Sequence, residues 1–302
     1  MATLAQRLPY THPFAGGFPY RGSQRLPSDP DALTYLAAVA AADGAPVETA
    51  VATAVDDFFR GTKADGTFSA LKAASLLCGA RTLAGALVPL VGAAPTNNNF
   101  VDADYNRGPG LKGNGSTKYL DSNRAHSADA QDDRHISVFA ASKSSVNSEL
   151  AGSLYGSGAG WTRFVNSGHI NPNAFSFGLA ASYAAPILLT TSGNADFVGA
   201  SRSSSSSITI ALGTTLQTAS QASQAPNAGN YQVFRAGGNV ADNRLSWYSI
   251  GESVDLALLD ARVTALVQRI QLSLSTGLDA SGYDDATVAY LLAAYNNGAT
   301  LE

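Results

Sequence analysis

Histidines and acidic side chains could bind a metal ion, but their positions in this sequence do not favour one. The four histidines are scattered, and none stands in a spacing such as His-x-x-x-His: His12, His126, His135 and His169. Asp132 and Asp133 lie close to His135, and Ca²⁺ prefers carboxylate and carbonyl oxygens as ligands. A solvated loop before a strand explains that cluster more simply. The sequence therefore predicts no metal site and no cofactor.

The side chains needed for catalysis do not occur in a recognisable arrangement. No Gly-x-Ser-x-Gly motif, which exposes a nucleophilic serine after a strand, is present in the sequence. Glycosidases need two carboxylates that face the scissile bond, and Glu149 and Glu252 each stand alone. Cys78 is typical of an apolar helix end, and Gly113 and Gly115 are typical of turns. We therefore predict no catalytic residue and no enzymatic activity.

One group of side chains could stack on a sugar ring, because an aromatic face attracts the C–H side of a sugar. Tyr155, Trp161 and Arg163 occur together in GSLYGSGAGWTRF, a segment that reads as a Gly/Ser-rich loop. They are candidate glycan-binding residues. The alternative is that Trp161 is an ordinary core residue.

The first 28 residues combine prolines with aromatic side chains and predict an extended arm. Four prolines in this segment prevent a helix and discourage a strand. Aromatic residues at this density are unusual in a disordered tail and are frequent at interfaces. The predicted partner-binding residues of the arm are Tyr10, Phe14, Phe18, Tyr20 and Arg21. A flexible leader, or a segment folded back on its own domain, is the alternative.

The stretch 244–270 predicts one strand that runs directly into one helix. Trp247 and Tyr248 are typical of a strand, and Asp255 can cap the helix that follows. Upstream, short segments with turn residues between them predict the strands of a sandwich or jelly roll. We expect seven residues in its core: Leu111, Val138, Phe139, Phe177, Val198, Val233 and Trp247. The segment Ser203–Ser207 predicts a hairpin tip.

Helical patterns flank this β-rich region. Asp29-Pro30 starts a first helix, a second follows Pro46, and a third, shorter one is predicted from Phe68 toward Leu76. A last short helix starts at Asp284 or Asp285. The predicted division is an arm at 1–28, a helical unit at 29–82, a β-sandwich at 83–272 and a C-terminal tail at 273–302.

Composition narrows the class of protein. The chain has 302 residues, of which 45% are hydrophobic and 14% charged, so it is long enough to bury a substantial core. A net charge of −4 does not favour a nucleic-acid partner. No apolar stretch is long enough to predict a membrane span or a signal peptide, and a single cysteine allows no intrachain disulfide. We expect a protein made in the cytoplasm of a cell or of a host.

Several segments resemble a module that recurs in bacteriophage and prophage virion proteins. They include TYLAAVAAADG, TAVDDFFRGTKADGTF, GLKGNGSTKYLDSNR and RLSWYSIGESVDLALLDARVTALV, and the resemblance covers roughly 30–272. It implies a concanavalin A-like, laminin-G-like jelly roll, opened by Asn114-Gly115-Ser116 before Tyr119. It also implies attachment to a virion and frequent contact with glycans.

The resulting hypothesis is a non-enzymatic virion protein, mainly β, with a small N-terminal helical unit and C-terminal helices. We expect a homo-oligomer, with a trimer favoured, that contacts other virion proteins and a host-surface glycan. A tail-associated position, such as a tail fibre or receptor-binding component, is the first interpretation. A capsid decoration protein is the alternative, and a carbohydrate-active enzyme is a third, disfavoured by the missing carboxylate pair.

Overall fold

The computed structural model describes residues 25–142, 148–153, 161–166, 174–181, 187–190, 197–213, 215–280 and 283–298. Its helices are α1 Pro30–Asp43, α2 Thr49–Ala64, α3 Leu83–Ala86, α4 Leu256–Thr276 and α5 Asp285–Asn296. Its first strands are β1 Leu71–Leu76, β2 Thr96–Asn98, β3 Tyr105–Asn106, β4 Gly110–Lys112, β5 Tyr119–Ala125 and β6 Arg134–Ser142. Then follow β7 Ser148–Ser153, β8 Trp161–Asn166, β9 Ala174–Ala181, β10 Ile187–Thr190, β11 Phe197–Arg202 and β12 Ser207–Leu212. The last are β13 Thr215–Ser220, β14 Asn230–Val233, β15 Arg235–Ala236, β16 Asn239–Val240 and β17 Arg244–Gly251.

Two antiparallel sheets form the body of the protein. The first sheet has the strand order β13-β12-β11-β6-β17-β4-β3, and β1 also pairs with β17. The second sheet has the order β10-β9-β8-β7-β14-β5-β2. Side chains from both sheets meet in one buried cluster, which makes the arrangement a sandwich. The predicted fold class, a mainly β jelly-roll sandwich with N-terminal and C-terminal helices, is confirmed.

The seven predicted core residues are all buried, but they belong to two different cores. Leu111, Val138, Phe177, Val198 and Val233 lie between the two sheets. The other two, on β6 and β17, lie on the opposite face of the first sheet and pack against helices: Phe139 and Trp247. Alternate residues of a strand face opposite sides of a sheet, so β6 and β17 are buried on both faces.

The helical layer, which we define as α1, α2 and α4, covers that outer face. Phe58 of α2 meets Trp247 at 5.2 Å between ring centroids. The predicted apolar stripe of α4 is buried at every position: Leu259, Val263, Leu266, Val267 and Ile270. The helical pattern therefore identified the face that packs on the sheet. The helices and the sandwich share one continuous core on this side.

Helix starts were predicted well because they depend on local hydrogen bonds. The carboxylates of Asp29, Asp255 and Asp284 accept backbone N–H bonds at the starts of α1, α4 and α5. The hairpin tip at 203–206 also lies where it was predicted, between the paired strands β11 and β12.

The predicted third helix is wrong. Phe68–Ala70 forms one 3₁₀ turn, and Leu71–Leu76 is a strand that pairs with β17. Its alanines favour a helix, but pairing in the sheet overrides that weak preference. Gly251 permits the close approach, because a Cβ there would lie 2.0 Å from the Ala70 carbonyl oxygen. A strand of the first sheet thus lies within 29–82, the range that the sequence assigned to the helical unit.

Candidate functional site

The candidate glycan-binding residues are only partly within the described chain. Tyr155 lies outside the described residues. Trp161 and Arg163 are in β8, so the predicted loop is wrong at this point, and Arg163 is half-buried. Thr162 between them is fully buried in the sandwich. β8 pairs with its neighbours in the sequence, β7 and β9. The glycine and serine residues before Trp161 favour a turn, so no sequence signal indicated the strand that begins there.

The cluster of Asp132, Asp133 and His135 is not simply a solvated loop. His135 is fully buried, whereas Asp133 is exposed and accepts a hydrogen bond of 2.7 Å from the Ser253 N–H. The solvated-loop interpretation is therefore wrong for His135. Among the residues that the structure describes, no group of three or more His, Cys, Asp or Glu side chains could hold a metal ion.

A chain of buried hydrogen bonds runs from Trp247 to His135 beneath the β17–α4 connection. His135 Nδ1 lies 2.5 Å from the Glu252 carbonyl oxygen, which can only accept, so Nδ1 carries the proton. His135 Nε2 then accepts from Ser249 Oγ at 2.9 Å. Ser249 Oγ accepts from Ser137 Oγ at 2.7 Å, and Ser137 Oγ accepts from Trp247 Nε1 at 3.3 Å. Every member is thus satisfied with the imidazole neutral.

Burial fixes the charge state of both described histidines. Burial lowers the pKa of His135 from 6.5 to about 4. Burial also lowers the pKa of His126 from 6.5 to about 3, and the nearby Arg134 guanidinium adds to the effect. His126 Nδ1 accepts from the Asn227 N–H at 3.2 Å, so its Nε2 donates to Thr162 Oγ1 at 2.7 Å. Both rings therefore serve as neutral structural groups.

Acidification should destabilise the protein through these two histidines. In the unfolded chain the two histidines are protonated near pH 6.5, whereas in the folded chain they are protonated only at about pH 4 or below. The free energy of unfolding therefore decreases as the pH falls through this window. At about 1.4 kcal/mol per pH unit, His135 alone accounts for a loss of about 3 kcal/mol. Urea unfolding at several pH values between 7 and 4.5 measures this loss of stability. The range stays above the pH near 4 at which most carboxylates titrate.

The matched variants are His135→Asn and His126→Gln, which keep one hydrogen-bonding group but cannot be protonated. Each should be less stable than the wild type at pH 7 and should show a shallower decline with acid. An unchanged pH dependence in both variants would contradict the burial of neutral histidines.

Two buried arginines hold the sandwich together at one end of the first sheet. Arg134 and Arg202 are cross-strand neighbours and are fully buried. Arg134 donates to the carbonyls of Ala130 and His126. Arg202 reaches the second sheet, where its guanidinium donates a hydrogen bond of 3.0 Å to the carbonyl oxygen of Leu179. Burial lowers the pKa of Arg202 to about 10, so it stays charged at neutral pH. These contacts indicate a structural role.

A cleft of about 650 Å³ lies in the helical layer between α2, α4 and the start of α5. We call it the helical cleft. Its arginines are Arg25, Arg60, Arg262 and Arg269. Its aspartates are Asp57, Asp284 and Asp285. Apolar and small side chains complete the lining, among them Phe58, the ring that packs on Trp247 from the other side.

Most charges of the helical cleft are already paired. The Arg25 guanidinium contacts Asp57, and Arg269 contacts Asp285 at 2.8 Å. Arg262 donates to Asp65, just outside the cleft, at 2.7 Å. Burial raises the pKa of Asp57, and the charge of Arg25 opposes that rise. Because exposed pairs contribute little to stability, their main effect here is to orient the guanidinium planes.

Gly61 allows Arg262 to cross α2 closely. A Cβ at Gly61 would lie 2.8 Å from Arg262 Nε, which is closer than van der Waals contact. A glycine inside a helix costs about 1 kcal/mol relative to alanine. The glycine leaves room for the Arg262 side chain to lie against α2 beside the helical cleft.

The segment before α1 is fixed to α2 by one buried carboxylate. Asp56 Oδ1 accepts from the N–H groups of Ser28 and Asp29, both at 2.7 Å. Asp56 Oδ2 lies 2.9 Å from the Arg25 guanidinium. The last four residues of the predicted arm, 25–28, are therefore described and lie against α2. Tyr10, Phe14, Phe18, Tyr20 and Arg21 lie outside the described residues.

The remaining predicted residues have structural positions. Cys78 is buried, as expected, but it follows β1 and not a helix, and burial raises its pKa to about 12. Glu252 is half-exposed and pairs with Lys72 at 3.1 Å. Gly115 has a positive φ of 71° in the turn before β5. Sequence reasoning missed the helical cleft, because its side chains come from segments more than 200 residues apart.

Comparisons with known proteins find similarity to solved structures at a low level only. No family model matches the sequence, and no curated protein matches it. The LG4-5 domains of the mouse laminin alpha1 chain match with 12% identity over 56% of this chain and 47% of that chain, at a TM-score of 0.35. The binding domain of botulinum neurotoxin DC matches with 10% identity over 51% of this chain and 39% of that chain, at a TM-score of 0.31.

A Trypanosoma rangeli sialidase mutant with trans-sialidase activity matches with 10% identity, over 70% of this chain and 39% of that chain, at a TM-score of 0.38. The chain thus spans about half or less of the length of each of these structures. None of the described helices is long and apolar enough to cross a membrane. The fold class is shown by the two packed sheets themselves: the chain is a mainly β jelly-roll sandwich.

Proposed function

We propose that this protein is a non-enzymatic structural component of a bacteriophage particle, associated with the tail and anchored by its N-terminal arm. The observation that carries the proposal is the fixed base of that arm. Asp56 holds Arg25, Ser28 and Asp29 against α2 in the helical layer. Residues 1–24 therefore precede a point of the chain that is fixed to α2, which suits an attachment arm.

The sequence resemblance over 30–272 supports the particle assignment. Its closing motif corresponds to β17 and α4, which join the sandwich to the helical layer. Small polar residues and alanines are plentiful in the sequence, and only 14% of the whole chain is charged, a composition that suits contact between subunits. We propose a homo-oligomer, with a trimer favoured, and analytical ultracentrifugation of the purified protein measures its mass.

The copy number per particle distinguishes the tail from the capsid. Both positions need an arm and a compact sandwich. Particles from the producing host, banded on a density gradient and quantified by immunoblot against purified protein, should contain a few to a few dozen copies. Hundreds of copies would instead assign the protein to capsid decoration. Absence of the protein from banded particles would refute the particle assignment itself.

Hydrolysis of host polysaccharide should be undetectable. The described histidines are buried and neutral, and Glu252 is paired with Lys72 at the surface. We propose instead that any glycan is only bound, with Trp161 and Arg163 of β8 as the candidate contacts. The measurement is reducing-sugar release from host polysaccharide by wild type and Glu252→Gln. Release that this substitution abolishes would establish an enzyme.

A further inference from the structure

Two charged side chains of the helical cleft form no ion pair with any residue that the structure describes. Arg60 is exposed and contacts no carboxylate among the described residues. Asp284 accepts the Thr287 N–H at 2.7 Å as the cap of α5 and forms no ion pair with a described residue. That hydrogen bond lowers the pKa of Asp284, and the charge of Arg269, which pairs with Asp285, also lowers it. An occupant that suits both would bring an aromatic face or an anion to Arg60 and a cation to Asp284.

Arg25, the first residue that the structure describes, belongs to the lining of the helical cleft. It is held there by Asp56 and Asp57. Twenty-four residues precede it in the sequence. Five residues of extended chain span up to about 17 Å, which is enough to cross a cleft of this volume. The residues just before Arg25 are therefore present at the cleft at a high effective concentration.

The chemistry of that segment matches the two open charges. Residues 18–21 read Phe-Pro-Tyr-Arg, and the first 24 residues contain no aspartate or glutamate. An aromatic ring can stack on the planar guanidinium of Arg60 or Arg262. Arg21 can pair with Asp284, whose carboxylate lies at the start of α5. Small lining residues such as Ala54, Ala64 and Ala265 leave space for the rings.

We propose that the helical cleft binds residues 18–21 of the same chain, with Tyr20 over the arginines and Arg21 on Asp284. This deepens the proposed function and rests on it, because it divides the arm into two parts. Gly16-Gly17 separates the docked part from the distal part. Tyr10 and Phe14, in the distal part, then remain available for contact with the particle. The docked part sets the direction in which the distal part extends.

Disulfide cross-linking tests the proposal in the full-length protein. Tyr20→Cys is combined with Ala265→Cys in a Cys78→Ala background, and oxidised samples are compared on non-reducing gels. The expected product is an intrachain cross-link that runs as a monomer with altered mobility. The matched control pairs Tyr10→Cys with Ala265→Cys and should cross-link at least tenfold more slowly. A disulfide-linked dimer would show that a second copy supplies the arm, and a rate equal to the control would also overturn the proposal.

A second measurement uses the cleft side of the contact. Chymotrypsin should cleave after Tyr20 roughly threefold faster in Arg60→Ala than in wild type, because one cation–π contact is lost. The control variant is Lys112→Ala, which removes another exposed cation that lies far along the chain. Chymotrypsin should cleave this variant after Tyr20 at the wild-type rate. Equal rates in all three proteins would contradict docking. Neither assay uses particles, so the two proposals can fail separately. The protein could join a particle without docking residues 18–21 in the helical cleft, or dock them there without joining a particle.

Discussion

Replacement of Trp247 by alanine should lower the free energy of unfolding by about 4 kcal/mol. Trp247 is fully buried, and its indole packs at 5.2 Å on Phe58 of α2. It also donates to Ser137 in the hydrogen-bond chain that ends at His135. The substitution therefore leaves a cavity between the sheet and the helical layer and an unpaired hydroxyl acceptor. Urea unfolding followed by far-ultraviolet circular dichroism measures the loss.

Two controls make this result specific. Trp247→Phe fills most of the volume and should lose about half as much stability. Leu33→Ala, at a position that is 48% exposed on α1, should change stability by less than about 0.5 kcal/mol. If Trp247→Ala were as mild as Leu33→Ala, the helices would not share a core with the first sheet.

Asp56→Ala should cost about 3 kcal/mol, whereas Asp57→Ala should cost less than about 1 kcal/mol. The two aspartates are neighbours in α2, and both contact Arg25. They differ in burial, because the side chain of Asp56 is fully buried and that of Asp57 is 37% exposed. Loss of Asp56 leaves the Ser28 and Asp29 N–H groups without their acceptor and leaves Arg25 with Asp57 as its carboxylate partner.

The same unfolding assay compares the two variants, and Asp56→Asn provides an intermediate case because it keeps one acceptor oxygen. Equal effects of Asp56→Ala and Asp57→Ala would mean that the base of the arm is not fixed by burial. The contrast also defines where a truncation should end. Removal of residues 1–24 leaves this contact intact, while removal of 1–28 would take away Arg25 and Ser28 and leave the buried Asp56 with Asp29 as its remaining partner in this contact.

Features that depend on local chemistry could be predicted from this sequence. The strand and helix at β17 and α4 follow from aromatic residues, a capping aspartate and an apolar stripe. The capping residues Asp29 and Asp284 were likewise identified. In each case, the signal lies within a few residues of the structure that it produces.

Features that depend on distant partners could not be predicted in the same way. The alanine-rich strand β1 is fixed by its pairing with β17, about 170 residues later. Arg134 and Arg202 look like surface residues in the sequence, yet backbone carbonyls 8 and 23 residues away along the chain accept their hydrogen bonds in the interior. His135 belongs to a chain that needs β6 and β17 side by side. Spacing along the sequence carries no signal for these contacts.

Incorporation of a truncated protein into particles tests the central claim most directly. The full-length protein and a form lacking residues 1–24 are each produced in the phage-producing host, and banded particles are probed for both. The account predicts that the truncated form melts within about 2 °C of the full-length form, because its core is unchanged, but is absent from particles. Normal incorporation of the truncated form would contradict the arm as anchor and would direct attention to α5, where Tyr290 is 54% and Tyr295 38% exposed.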